Sequence, residues 1–255
     1  MHRFHLPSPA AHGLLRLEGR EAHHALHVLR LKLGDEAVVL DGAGGQIFCR
    51  VQETGRDSLS LRVVRRDFVP PPPCAVTLLV AVPKAKAMDG IIQKSVELGV
   101  RRIVPLLTER VVTKLAGREA ENKRGKWRQV AIEAIKQSGA AWLPDVTAPA
   151  TLSEALAQNQ PFELAVAGSL QTERRHPRDV FREFEKSKGQ PPKTAAVWIG
   201  PEGDFTLDEL QAIQSSGAQP ISLGRLVLRV ETAAVFCLSI LNYEFNGLPG
   251  AAAFR

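Results

Sequence analysis

No stretch of this 255-residue chain is apolar over the length that a membrane-crossing helix requires, so no membrane partner is expected. The opening residues, MHRFHLPSPA, lack the apolar core of a secretory signal, which points to the cytoplasm. Cysteine is scarce: the three residues Cys49, Cys74 and Cys237 lie far apart and are odd in number. A disulfide framework needs pairs and a structural zinc site needs clustered ligands, so neither is expected, and a reducing compartment fits. Histidine is nearly absent beyond the beginning, with six of the seven in the first 27 residues and only His176 elsewhere. What is present is enough for a core of ordinary size, since 44% of the residues are hydrophobic, and the length suits one large domain or two smaller ones. The formal net charge of +6 favours anionic partners, nucleic acid first, although a charge of that size also occurs in proteins with no such partner.

Four consecutive prolines, Pro70–Pro73, form a stiff spacer without backbone donors, and the pattern changes across them. They divide the chain into a domain over residues 1–69, a linker over 70–73 and a second domain over 74–255. Before the prolines, β-rich runs at 37–40, 46–51 and 58–64 alternate with the turn clusters DGAGG and TGRD, which reads as a small meander or barrel. One helix is expected ahead of them over 21–33, with Ala22, Ala25, Leu26, Leu29 and Leu33 as its apolar stripe and Gly34 at its end. After the prolines, strands at 76–82, 102–107, 163–168, 195–200 and 220–224 alternate with helices at 88–98, 119–138, a short one opened by Thr151, and 231–245. That alternation predicts an α/β domain built on a parallel sheet with helices on both faces.

Several motifs invite a chemical reading. Asp41-Gly42-Ala43-Gly44-Gly45 looks like a nucleotide loop, but it joins two strands, whereas phosphates are received at a helix N-terminus, so a hairpin turn is expected. His23 and His27 share a helical face with Arg30, and with no third ligand nearby a polar or RNA-facing stripe is favoured over a metal site. Gly200-Pro201-Glu202-Gly203-Asp204 follows a buried-type strand and precedes the capping-box start Thr206–Glu209, which puts it where open α/β sheets bind ligands. It could equally be a tight connection. Leu223–Ala233 repeats the pattern of strand, glycine and loop before the last helix, and carries Arg229 and Glu231 amid apolar residues, either as a functional pair or as a structural ion pair.

At these two loops the chain resembles a known family. IGPEGDFT (199–206) and LGRLVLRVETAA (223–234) look like the paired signature loops of the RsmE-type methyltransferases, which act on N3 of a uridine in 16S ribosomal RNA. VPKAKAMDGIIQKSVELGVRRIVPLLTERVV (82–112) is similar to the start of their catalytic domain, KWRQVAIEAIKQSG (126–139) to their long helix, and HHALHVLRLKLGD (23–35) to their N-terminal segment. The resemblance implies a PUA-like barrel followed by a SPOUT catalytic domain whose C-terminal chain threads a deep trefoil knot. It further implies S-adenosylmethionine as cofactor, a homodimer, 16S rRNA or the small ribosomal subunit as substrate, and no metal. Four positions depart from the usual pattern: GPEGD, with Asp204, stands where GPEGG is common, Leu226 where an arginine is common, and IKQSGA where EQSGR is usual, so that Lys136 and Ala140 each change a charge.

On this reading the cofactor lies against Gly168, Ile199, Gly200, Pro201, Glu202, Gly203, Leu223, Gly224, Leu226 and Leu228, at three strand ends that finish in glycine. Uracil N3 holds a proton at neutral pH, so the site needs a base or a cation that favours the uracil anion. Arg229 is the candidate cation, and Glu231 or Glu202 could orient it or take the proton. RNA contacts are expected from Arg3, Arg16, Arg20, His23, His27, Arg30, Lys84 and Arg110. Three rival activities fit parts of the pattern: a ribose methyltransferase acting on transfer RNA, a ribosome-assembly factor without chemistry, and a small-molecule nucleotide enzyme, against which the missing strand–GxGxxG–helix counts.

Overall fold

Alternation of inward apolar and outward polar residues builds the first of two units. The computed structural model describes residues 1–10, 13–84, 87–111, 115–158, 161–170 and 173–247, so the end of the domain expected over 74–255 lies outside the described residues from 248 onward. Unit 1 comprises Met1–Pro71 with Ile132–Leu143, and unit 2 comprises Pro72–Ala131 with Pro144–Arg255. Five strands make the sheet of unit 1: β1 (His2–His5), β2 (Leu14–Glu18), β3 (Glu36–Leu40), β4 (Gly45–Thr54) and β5 (Ser58–Phe68). Their order is β1-β3-β4-β5-β2, with β1 parallel to β3 and all other pairs antiparallel. Leu15, Leu17, Ile47, Cys49, Val51, Leu59 and Leu61 point inward by the period-two rule and close on Phe4, Ala22 and Ala25.

The hairpin at Asp41 is a turn held by its own side chain. Asp41 Oδ1 accepts from Ala43 N at 2.7 Å and Gly45 N at 2.8 Å, while a side chain on Gly45 would place its Cβ 2.2 Å from Asp41 Oδ2. The expected helix over 21–33 is shorter in the structure. Helix α1 (Gly19–His23) runs into π-type turns over His24–Val28, where Leu29 N donates to His24 O at 2.9 Å, and Arg30 at φ 55 ends the run. Ala22, Ala25, Leu26 and Leu29 of the expected apolar stripe pack on the core, but Leu33 lies beyond the end of the run, in a turn, and is exposed. Two short strands, β1 and β2, were not expected.

Unit 1 also includes the end of the long helix α3 (Gly117–Ser138). There Lys136 is buried, its Nζ 2.9 Å from Glu21 Oε1 and 3.0 Å from Glu133 Oε2. Arg3 donates to the carbonyls of Lys136 at 3.3 Å and Gln137 at 3.0 Å, a cation on the negative end of a helix.

Unit 2 is an α/β layer structure. Its strands are β6 (Ala75–Ala81), β7 (Arg102–Leu107), β8 (Asp145–Val146), β9 (Ala150–Thr151), β10 (Leu164–Gly168), β11 (Thr194–Ile199) and β12 (Gln219–Ile221). Its other helices are α2 (Ala87–Glu97), α4 (Leu152–Gln158), α5 (Pro177–Lys188), α6 (Leu207–Ser215) and α7 (Val230–Phe245). The sheet runs β12-β10-β11-β6-β7-β8 with β9 also on β7, and every pair is parallel. Leu79, Ala165, Ala167, Ala196 and Trp198 pack on one face with Leu210 and Ile213 of α6. The alternate residues Leu78, Val80, Val166 and Val197 are equally buried, and α7 packs on β6 and β11 with α2 against it. Both faces are therefore covered, which is why the strands read as continuous apolar runs. The two capping boxes form as the spacing requires: Thr151 N donates to Glu154 Oε2 at 2.8 Å, and Thr206 N to Glu209 Oε2 at 2.9 Å. Helix α5 was not expected. His176 caps it, Pro177 starts it and Gly189 at φ 68 ends it.

The buried lysine yields a stability prediction. Lys136→Met leaves the Glu21 carboxylate, whose remaining described partner is His5 N at 3.3 Å. Unfolding in urea is expected to show a loss of about 3 kcal/mol, the lower end of the cost of breaking a buried ion pair. Glu21→Met in the same background should recover most of it. An unchanged urea midpoint for Lys136→Met would show that the pair contributes nothing.

Candidate active site

Strand register sets the site. Gly168, the last residue of β10, pairs with Ile199 of β11 on one side and Ile221 of β12 on the other. Three neighbouring strands thus end level, at the C-terminal edge where parallel sheets leave a crevice. The chain leaving them lines a cleft. Nine of the ten expected cofactor residues line it: Gly168, Ile199, Gly200, Pro201, Glu202, Leu223, Gly224, Leu226 and Leu228. The tenth, Gly203, stands outside the lining, and its carbonyl accepts from Arg110 Nη1.

Two glycines are required by close approach. A Cβ on Gly200 would lie 2.9 Å from the backbone nitrogen of Phe205, because the loop doubles back on itself there. A Cβ on Gly168 would meet Leu223 Cδ1 at 3.0 Å and Ile199 Cδ1 at 3.2 Å, so it would crowd the apolar wall of the cleft. Glu202 is exposed, and its Oε1 accepts from Lys84 N at 3.3 Å, which ties this loop to the one after β6. The Lys84 side chain itself is exposed, as is Arg110, whose Nη1 also reaches Asp204 O at 3.4 Å.

Arg229 occupies the N-cap position of α7, with φ −66 and ψ 156, and its carbonyl accepts from Ala233 N at 2.8 Å. Its side chain is exposed, and among the described residues no ion pair joins it to Glu231 or Glu202. It does not line the cleft, but Leu228 and Val230 on either side of it do. Glu231 is half-buried in the first turn of α7, where a carboxylate suits the positive end of the helix.

Other lining residues were missed: Ser169, Leu170, Arg174, Asp204, Val230 and Ala233. Ser169 and Leu170 follow directly on the strand that ends at Gly168, a positional signal that could have found them. Arg174 lies in a stretch without a motif, and the sequence carries no signal for it.

The RNA-contact candidates of unit 1 do not form one free stripe. Arg3 is bound to helix carbonyls, Arg16 lies 2.9 Å from Glu18, and Arg20 is 3.8 Å from Glu133. His23 and His27 are exposed with ring centroids 4.8 Å apart, and Arg30 is exposed. Among the described residues no group of three or more His, Cys, Asp or Glu could hold a metal ion. A basic groove on the same unit was not expected; Arg62, Arg65 and Arg66 of β5 line it with Leu14 and Val64.

Residues 70–242 match the family described as RNA methyltransferase domain, and residues 17–64 match the one described as RNA methyltransferase PUA domain. The Ribosomal RNA small subunit methyltransferase E of Synechocystis is 32% identical over 92% of this chain and 75% of its own length. That of Bacillus subtilis is 29% identical over 92% of this chain and 91% of its own. The crystal structure of the Neisseria gonorrhoeae enzyme of the same name, bound to S-adenosyl methionine, matches with a TM-score of 0.84 at 27% identity, over 95% of this chain and 97% of that one. With a domain match over most of its length and a relative above 30% identity, the chain belongs to the RNA methyltransferase family that includes the ribosomal RNA small subunit methyltransferases E.

Proposed function

We propose that this protein is a cytoplasmic enzyme that transfers a methyl group from S-adenosylmethionine to N3 of one uridine in 16S ribosomal RNA, with the RNA or the small subunit as substrate. The observation that carries this reading is the cleft at three level strand ends, in a chain whose relative of the same fold is bound to that cofactor. The residues suit the group. Leu170, Ile199, Leu223, Leu228 and Val230 offer apolar surface for a base, Gly168 lets backbone approach it closely, and the exposed Glu202 suits a cationic ligand. When bound, the cofactor supplies a methyl group already activated by its sulfonium.

The chain's own task is to place uracil N3 and ease the loss of its proton. The target base must be unpaired or flipped, at a cost of about a few kcal/mol. The role proposed for Arg229, exposed beside the cleft at the N-cap of α7, is to face a uracil carbonyl oxygen and stabilise the charge that builds there. Glu231, two residues on, or Glu202 on the opposite loop orients that cation or accepts the proton. Unit 1 adds affinity through phosphate contacts, with Arg62, Arg65 and Arg66 joining the exposed basic residues named above.

The chain is further proposed to act as a homodimer. One face of α7 is buried in unit 2, yet Phe236 and Tyr243 on the same helix are exposed and line a groove with Phe181 and Ile240. Sedimentation at micromolar concentration is expected to show a dimer; a monomer would remove this part of the proposal.

Methylation of small ribosomal subunits with labelled cofactor, followed by mapping of the product, tests the activity. Label on uridine N3 is expected. Label on a ribose 2′-oxygen, or binding of RNA without any transfer, would replace this reading with one of its rivals. Arg229→Ala should lower the single-turnover rate roughly 10²–10³-fold, the scale for one preorganised electrostatic group, with cofactor affinity little changed. Lysine should rescue only in part, because it lacks the planar fork of donors. A variant as fast as the parent would make Arg229 structural.

A further inference from the structure

We infer that Asp204 is a positioning residue, which sets the shape of the cofactor cleft by tying the loop after β11 to the loop after β10. This rests on reading the cleft as the S-adenosylmethionine site. Asp204 stands in the left-handed region at φ 64 and is buried, with 6% of its surface exposed. Its Oδ2 accepts from Leu170 N at 2.8 Å and from Ser169 Oγ at 3.4 Å, both across the cleft wall on the β10 loop. Its Oδ1 accepts from Phe205 N at 2.8 Å, and its own N–H closes the turn onto Pro201 O at 2.9 Å. One residue therefore uses both carboxylate oxygens and its amide to hold two lining loops together. Arg174, further along the same stretch, donates to Ser169 O at 3.3 Å.

The backbone constraint and the tie are separable. A left-handed φ favours glycine, which would meet it without strain, and the family resemblance puts glycine at this position. Glycine has no carboxylate, so the bonds to Ser169 and Leu170 are additions of this chain. They hold backbone that faces the ligand, so their effect falls on how well the cleft is formed before the cofactor arrives. The chemical step, which depends on groups at the N-terminus of α7, is left alone.

Asp204→Gly tests this cleanly, because glycine accepts φ 64 and the variant is expected to fold. Asp204→Asn serves as the conservative partner: asparagine also tolerates this region and keeps one acceptor oxygen for Leu170 N. Calorimetry with S-adenosylmethionine and S-adenosylhomocysteine should show affinity about tenfold weaker for Asp204→Gly, the scale of losing hydrogen bonds to a charged group. The KM for cofactor should rise in parallel, while kcat at saturation stays within about threefold of the parent. Asparagine should restore affinity to within about threefold.

Affinity of Asp204→Gly equal to the parent overturns the proposal. So does asparagine as weak as glycine, which would make the negative charge, not the tie, the active feature. A fall in kcat with unchanged KM also overturns it. Should Asp204→Gly fail to unfold cooperatively, the asparagine comparison alone decides, since loss of the tie would then be structural unless asparagine binds cofactor normally. Gly168→Val separates this from the underlying reading. If that variant binds cofactor like the parent, the cleft is not the site; if it binds weakly while Asp204→Gly binds normally, only the role of Asp204 falls.

Discussion

Everything at the candidate site depends on a register. In a parallel ladder the hydrogen bonds are evenly spaced and slanted, so fixing one pair fixes where neighbouring strands stop. Pairing Gly168 with Ile199 and Ile221 at once brings three chain exits to one edge. The loops are then forced to share the same space, and the sequence answers with glycine where they crowd and with a carboxylate where they must be joined. Gly200 is excluded from bearing a side chain by the backbone of its own loop, before any ligand is considered. The cleft is thus a consequence of sheet geometry first and of recognition chemistry second.

Much of this was legible in the chain. The strands of unit 2 are nearly unbroken apolar runs, because helices cover both faces, and such runs alternating with helical segments have few other readings. Three expected strand ends that finish in glycine, read together with the family resemblance, pointed to nine residues that line the cleft. The turn at Asp41 was legible for the same reason: its position between two strands ruled out a phosphate loop.

What stayed hidden has physical causes. The helix of unit 1 changes from α to π hydrogen bonding at His24, and hydrophobic spacing at the α period carries no sign of it. The strands β1 and β2 are only four and five residues long and mix charge with apolar groups, so their identity comes from their neighbours. A lysine is seldom buried without a partner, and the sequence carries no sign of the two glutamates that accompany Lys136 in the fold. Arg174 and Asp204 enter the cleft through contacts with residues distant in sequence, which no local motif encodes. The resemblance to a family flagged Asp204 as a departure, and in the structure its carboxylate accepts from Ser169 and Leu170 of the loop after β10.

The order of strands in unit 2 also bears on how the chain is made. β6, at the centre of the sheet, pairs with β11 through Ala75 and Thr194, partners roughly 120 positions apart. During synthesis β6 and β7 leave the ribosome with a buried-type edge exposed, and that edge has no partner until β11 follows. At about 5–20 residues per second the wait is several seconds or more. Closing a loop of that length is slow for a free chain as well. For this stretch of its life the apolar run that later anchors the sheet is an open strand edge, the kind of surface on which chaperones act and aggregates start.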